Sequence, residues 1–313
     1  MTTFRPAYLK LLENGVLKER VVQSNMRMGN CNICAWKCGI DRLSGELGIC
    51  KTGDLARVSS YGPHFGEEDP LRGKRGSGTI FFSRCNLRCQ YCQNHDISQT
   101  DSGHEVEPQD LAVMMLELQS GGCHNINFVS PSHVVPQILA GVLIAAQAGL
   151  KISLVYNTGG YDSIESLELL DGVIDIYMPD MKYASARIAR HYSKIPHYPQ
   201  VNQAAVKEMH RQVGDLQIDK DGVATRGLLI RHLVLPHGLA GTQEITRFLT
   251  QEISTNTYLN LMDQYRPAYK ANQYPKLKRT LKNEEYQEAV KFAIDNGLHR
   301  LDNRKSRYMI LPW

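Results

Sequence analysis

Three cysteines fall within eight residues, at Cys85, Cys89 and Cys92, in the run Cys-Asn-Leu-Arg-Cys-Gln-Tyr-Cys. Thiolates at that spacing can wrap one soft metal centre. Gly78-Thr79-Ile80-Phe81-Phe82 reads as a short buried strand, so the cysteines sit on a loop at its C-terminal end. A [4Fe–4S] cluster held entirely by protein takes four thiolates, and this loop offers three. One iron would stay open, and an open coordination position marks a catalytic rather than a structural centre. A zinc knuckle or three reduced thiols in a core are also compatible with the spacing.

A second group stands upstream. Cys31, Cys34, Cys38 and Cys50 occupy one stretch of twenty residues, with glycines at 39, 45 and 48. Glycine supplies the positive φ that tight metal-wrapping turns require. Four thiols make a coordinatively full site, and zinc or a second [4Fe–4S] cluster both fit it. As zinc, the centre would fold a segment that buries little alone; as a cluster, it would open a route for electrons. Trp36 and Ile40 read as packing residues, and the solitary Cys123 as a small buried hydrophobe.

Composition bounds the rest. The chain has 313 residues, 42% hydrophobic and 22% charged, which suits a globular protein with one sizeable core and an appended module. Cysteines packed into two groups suit a reducing compartment; a secreted disulfide framework would spread them. A net charge of +4 does not argue for a nucleic-acid partner. No apolar run is long enough to cross a membrane, and the first ten residues hold no signal-like apolar core. The expected location is the cytoplasm.

The thiols need elements to position them. Strands are expected at 78–82, 125–129, 152–156, 173–178, 228–235 and 258–262, separated by helices at 107–119, 134–148, 163–170, 201–213 and 241–253. Residues 216–223 read as an inserted hairpin on Asp221-Gly222. Crossover-length segments imply parallel strands with right-handed connections. Six strands fall short of the eight that close a full barrel, which leaves an α/β partial barrel or a doubly wound open sheet.

Around this core, 76–265, the expected organisation is a helical arm at 1–25, a cysteine-rich metal-binding segment at 26–75 and a helical C-terminal extension at 266–313 that covers the rim. Glu67, Glu68 and Asp69 read as a solvated acidic turn, and the basic run 276–282 as a solvated face. Functional groups collect at the C-terminal ends of parallel strands. Those ends carry Ser130-Pro-Ser132-His133, Asn157-Thr-Gly-Gly-Tyr161, Asp180-Met-Lys182, Arg231-His232 and Asp263-Gln-Tyr-Arg266.

Several of these stretches share a resemblance. Cys85 to Asp96, CNLRCQYCQNHD, resembles the cluster loop of radical S-adenosylmethionine (SAM) enzymes, and among them of the pyruvate formate-lyase activating enzymes. Asn157-Thr-Gly-Gly-Tyr is similar to their Asp-Thr-Asn-Gly-Phe, Pro179-Asp-Met-Lys182 to their Leu-Asp-Leu-Lys, and Ile230-Arg-His-Leu-Val-Leu-Pro236 to their Ile-Arg-Tyr-Val-Val-Val-Pro. Similar cysteine-rich segments precede the barrel in some uncharacterised relatives. The resemblance implies a partial (β/α)6 TIM-like barrel, a [4Fe–4S] cluster on Cys85, Cys89 and Cys92, and SAM held through its amino and carboxylate groups by the open iron. It sets Tyr91 beside the adenine, and Asn157, Asp180, Lys182 and Arg231 toward the nucleotide. Two departures accompany it. Ser130-Pro-Ser132-His133 replaces a Gly-Gly-Glu-Pro stretch, so backbone carbonyls near Ser130 and Ser132 would have to receive the methionine ammonium. Asn157 replaces an aspartate.

The implied function is reductive cleavage of SAM to a 5′-deoxyadenosyl radical that takes hydrogen from a substrate, in the manner of a glycyl-radical-enzyme activase. Radical modification of another protein, RNA or a small metabolite is the alternative. A non-catalytic zinc or iron–sulfur binding protein is the reading from another class. The chemistry calls for an electron donor such as flavodoxin or ferredoxin, with a protein substrate as one option and no membrane partner. His133, Asp263 and Arg266 are the substrate-side candidates.

Overall fold

The computed structural model describes residues 4–302. Of the C-terminal extension expected over 266–313, residues 303–313 therefore lie outside the described residues.

Ten strands form one sheet: β1 (Ala56–His64), β2 (Ser77–Phe82), β3 (His104–Val106), β4 (Asn125–Val129), β5 (Ser153–Thr158), β6 (Ile176–Pro179), β7 (Gln217–Ile218), β8 (Ala224–Leu233), β9 (Tyr258–Met262) and β10 (Arg300–Leu301). Their order is β10-β9-β8-β6-β5-β4-β2-β1-β3, with β7 paired to β8 as the expected hairpin. The six strands expected from the sequence are the parallel core, β2-β4-β5-β6-β8-β9. Edge strands β3 and β10 do not pair with each other, so the curled sheet is an open, partial barrel.

Alternation along the strands separates two apolar layers. Ile80, Phe82, Ile126, Phe128 and Leu154 face the covering helices and belong to the main core with Leu111, Met115, Ile138 and Val142. Val155, Ile176, Met178 and Leu229 turn the other way and pack inside the barrel around Leu71. Leu71 belongs to a short helix, Asp69–Arg72, and is wholly buried.

That helix corrects one expectation. Glu67 and Glu68 are buried, not solvated. The connection from β1 to β2 runs into the barrel, where Asn125 Nδ2 donates to Leu71 O at 2.8 Å and Asn260 Nδ2 to Glu68 Oε1 at 2.8 Å. Polar composition suggested a surface turn, but two amides on opposite sides of the sheet give these groups partners indoors.

The segment before β1 is tied to the barrel by Arg42. Its side chain is fully buried, donating through Nε to Gly53 O at 2.8 Å and through a terminal nitrogen to His133 O at 2.9 Å. Removing a charged donor leaves one buried and one part-buried carbonyl without this partner. Arg42→Met is expected to lower unfolding free energy in urea by about 2–4 kcal/mol, with amide exchange rising first across residues 31–53.

Candidate active site

β2 delivers the chain to the three-cysteine loop, which has no regular secondary structure and is pinned from three sides. The end of helix Ala186–Ser193 accepts two of its amides, Arg88 N to Ser193 O at 3.1 Å and Gln90 N to Tyr192 O at 2.7 Å. From the C-terminal side, Lys270 N donates to Gln90 O at 3.0 Å. From the four-cysteine segment, Trp36 Nε1 donates to Asn86 O at 2.6 Å. The guanidinium groups of Arg84 and Arg88 reach back to the carbonyls of Lys51 and Ile49, on either side of Cys50. The two cysteine groups are thus physically joined.

Each of the three thiols meets a polar hydrogen. Leu87 N donates to Cys85 Sγ at 3.4 Å, Ser193 Oγ to Cys89 Sγ at 3.0 Å, and Ser98 Oγ lies 3.2 Å from Cys92 Sγ. Burial pushes the Cys85 and Cys89 thiols up, Cys89 to about 12, while the nearby Lys182 ammonium pulls both down. Thiols so buried give up their protons to a metal rather than to water. Donors aimed at sulfur and an adjacent cation stabilise metal-bound thiolates, so the residues present fit an anionic iron–sulfur cluster.

Upstream, burial raises the Cys34 thiol, and the neighbouring thiols of Cys50, Cys38 and Cys31 raise it further; Cys38 is raised in the same way. The four sulfurs share one neighbourhood. Among the described residues no three His, Cys, Asp or Glu side chains close to the spacing of a single ion's ligands. Thiolates on a four-iron cube each sit on a separate iron and stand wider apart than that.

Beside Cys85 and Cys89 lies a largely buried charge cluster at the exits of β5, β6 and β8. Lys182 Nζ is 2.6 Å from Asp180 Oδ2, Arg231 Nε is 3.0 Å from Asp180 Oδ1, and Arg231 also donates to Asn157 Oδ1 at 2.7 Å. Burial works against the Asp180 carboxylate, yet Arg231 and Lys182 outweigh it and hold its pKa below the usual range. Glu67 and Glu68 act on Arg231 from the barrel floor, while Lys182 acts on Cys85 and Cys89; a guanidinium and an ammonium are the side chains that suit a carboxylate-bearing ligand. Behind it, Tyr198 OH and Asn202 Nδ2 both donate to Asp180 O, at 2.9 and 3.0 Å. Gly160 makes room for them: a Cβ there would fall 2.2 Å from Asn202 Nδ2 and 2.4 Å from Asp180 O.

Other expected residues sit differently. Tyr91 is buried in a tyrosine cluster, its hydroxyl accepting from Tyr183 OH at 2.6 Å and its ring edge-on to Tyr265. Ser130 adopts a left-handed φ of 60° and its amide donates to Asn157 O. Ser132 Oγ is 2.8 Å from Thr158 Oγ1, which in turn donates to the buried Asp162. His133 is buried behind the mouth, Nε2 3.2 Å from Ser83 O, so it braces the start of the cysteine loop. Asp263 is half-buried and Arg266 exposed on the rim. Sequence reasoning missed Ser98, Ser193, Tyr183 and Asn202. Tyr183 directly follows Lys182; nothing in the sequence marked the other three.

A protein-family model described as the radical SAM superfamily matches residues 79–234. The uncharacterized protein MJ0674 of Methanocaldococcus jannaschii is 32% identical over 272 residues, which cover 84% of this chain and 74% of that protein. The chain belongs to the radical SAM superfamily. Membership implies a [4Fe–4S] cluster and SAM, and SAM-dependent radical chemistry. Among solved structures, Streptococcus suis SuiB bound to S-adenosylmethionine matches at 12% identity and a TM-score of 0.47, over 72% of this chain and 50% of that one. A domain of pyruvate-formate lyase-activating enzyme from Bacteroides vulgatus matches at 13% identity and a TM-score of 0.36, over 50% and 86%. No described helix of this radical SAM protein is long and apolar enough to cross a membrane.

Two histidines at this site give it a pH signature. Burial pushes His133 down to about 3 and His232, held between Met181 O and Thr242 Oγ1, down to about 4. Both stay neutral when folded, while an unfolded histidine takes up a proton near pH 6.5. Stability is therefore lost as pH falls below that value, by about 2 kcal/mol per histidine at pH 5. Urea unfolding of wild type and His232→Gln from pH 7.5 to 5 should show the shallower pH slope in the variant.

Proposed function

We propose that this protein is a radical SAM oxidoreductase whose Cys85, Cys89 and Cys92 carry the catalytic [4Fe–4S] cluster. One observation carries this reading: three thiols on one loop, each beside a hydrogen donor, adjoin a largely buried charge cluster of Asp180, Lys182 and Arg231. When bound, the cluster supplies the electron that splits SAM into methionine and a 5′-deoxyadenosyl radical. Lys182 and Arg231 would bind the methionine carboxylate or the ribose, and Asp180 orients both cations and can accept from the methionine ammonium. That assigns to Asp180 the task a glutamate performs in the pyruvate formate-lyase activating enzymes. The burial of Tyr91 supports a supporting role, under the nucleotide rather than around it.

The substrate would enter the barrel interior above Asn127. This side chain is wholly buried on β4 and, among the described residues, no partner meets either of its amide atoms. A glycyl-radical activase is the reading that motif kinship favours; a glycyl radical signal in a co-expressed partner protein would support it. The four N-terminal thiols we read as a second metal centre, their spacing favouring [4Fe–4S] over zinc, that braces the catalytic loop through Trp36 and the two arginine contacts.

Anaerobic reconstitution should yield iron and sulfide in wild type, and reduction with SAM present should release 5′-deoxyadenosine. Cys85→Ala should lose that product by more than about a hundredfold, as expected when a cluster ligand is removed. Equal product from both proteins would refute the assignment. A finer test uses Ser193→Ala, which removes a hydrogen bond of about 1 kcal/mol to a cluster thiolate. It should keep its iron while its midpoint potential falls by roughly 40 mV, the one-electron equivalent of that bond, read by EPR-monitored titration.

A further inference from the structure

The charge of this chain is unevenly placed. Residues 183–206 and 264–282 together hold nine lysines and arginines and no aspartate or glutamate, against a net charge of +4 for the whole chain. Everything outside the two segments is therefore net negative. The fold brings both segments against the same loop. Helix Ala186–Ser193 lends its last carbonyls to Arg88 and Gln90. The strap 264–282 binds the loop through Lys270 N to Gln90 O, through Gln93 Nε2 to Gln264 O at 3.0 Å, and by Tyr269 stacked on His95 at 5.0 Å. The segments meet each other where the Tyr274 ring stands edge-on to His191 and Tyr192. Arg187, Arg190, Lys194, Lys270, Lys276 and Lys278 are all exposed. Among the described residues, only Arg279 of the nine cations meets a carboxylate, that of Glu285. The half-buried Cys92 lies inside this basic collar.

We infer that the collar is the docking surface of an acidic one-electron carrier protein. The inference rests on the function proposed above, which consumes one electron from outside per SAM cleaved. The carrier is oxidised by one electron and the cluster reduced by one; no bond is made or broken. A dense patch of one sign accelerates encounter with a partner of the other sign and makes the rate fall with salt, which suits a small, transient electron-transfer contact. Single-stranded RNA is the weaker fit. RNA grooves combine basic side chains with open aromatic faces, and here Tyr192 and Tyr265 are buried, while the exposed Tyr269 is already stacked on His95.

The test compares two reductants on the reconstituted full chain: a strongly acidic flavodoxin in its reduced form, and photoreduced 5-deazariboflavin, which is small and needs no docking. Arg190→Glu/Lys276→Glu/Lys278→Glu should slow cluster reduction by the flavodoxin about tenfold or more at low ionic strength and flatten its salt dependence. Reduction by deazariboflavin should stay unchanged, as should both rates in Lys220→Glu on the remote hairpin. Association of oxidised flavodoxin, followed by interferometry, should weaken in the triple variant irrespective of turnover. Equal flavodoxin rates and binding in triple variant and wild type would overturn the inference. So would loss of binding to a single-stranded RNA oligonucleotide with flavodoxin reduction intact. A wild type that deazariboflavin cannot bring to release 5′-deoxyadenosine would instead sink the proposed function, leaving the flavodoxin binding measurement to judge the surface.

Discussion

A loop that brings three cysteines together without forming a helix or a strand has to find partners elsewhere for its backbone amides and carbonyls. That accounting organises the molecule. Residues 85–92 are satisfied by the end of helix Ala186–Ser193, by Lys270 on the C-terminal strap and by Trp36 from the four-cysteine segment. The parts of the chain outside the parallel sheet are best understood as the walls of this mould. Each gives the loop a hydrogen bond that water would otherwise make, and each restricts where a sulfur can go.

Electrostatics constrain the same place. A buried carboxylate and two half-buried cations would be expensive as isolated charges. They persist because Asp180 bridges Lys182 and Arg231, because the Asp180 carbonyl is itself held by Tyr198 and Asn202, and because Arg231 has the acidic floor of Glu67 and Glu68 beyond it. The Lys182 ammonium stays next to Cys85 and Cys89, where it pulls both thiols down.

Much of this was legible in the residues. The six parallel strands follow from apolar runs separated by crossover-length segments, and each expected run overlaps an observed strand. The convergence of Asn157, Asp180, Lys182 and Arg231 follows from their positions at successive strand ends. What escaped has a common cause. Strand β1 contains Ser59, Ser60, Gly62 and Pro63, so its composition reads as a linker although antiparallel pairing with β2 makes it a strand. Glu67 and Glu68 are acidic and turn-flanked, and only the distant Asn260 makes one of them an interior residue. Helix Ala186–Ser193 is short and mostly polar, and Ser193 gains meaning only from Cys89, far away in the chain. Local pattern reports propensity; partners brought in by the fold decide the rest.

The β1–β2 connection has a further consequence. Most connections in such sheets pass over the outside, but this one turns inward and stops the lower end of the barrel with Leu71, Glu67 and Glu68. The barrel is a cup rather than a tube. A carbon-centred radical attacks whatever hydrogen source reaches it first, and a filled base removes one way in for solvent.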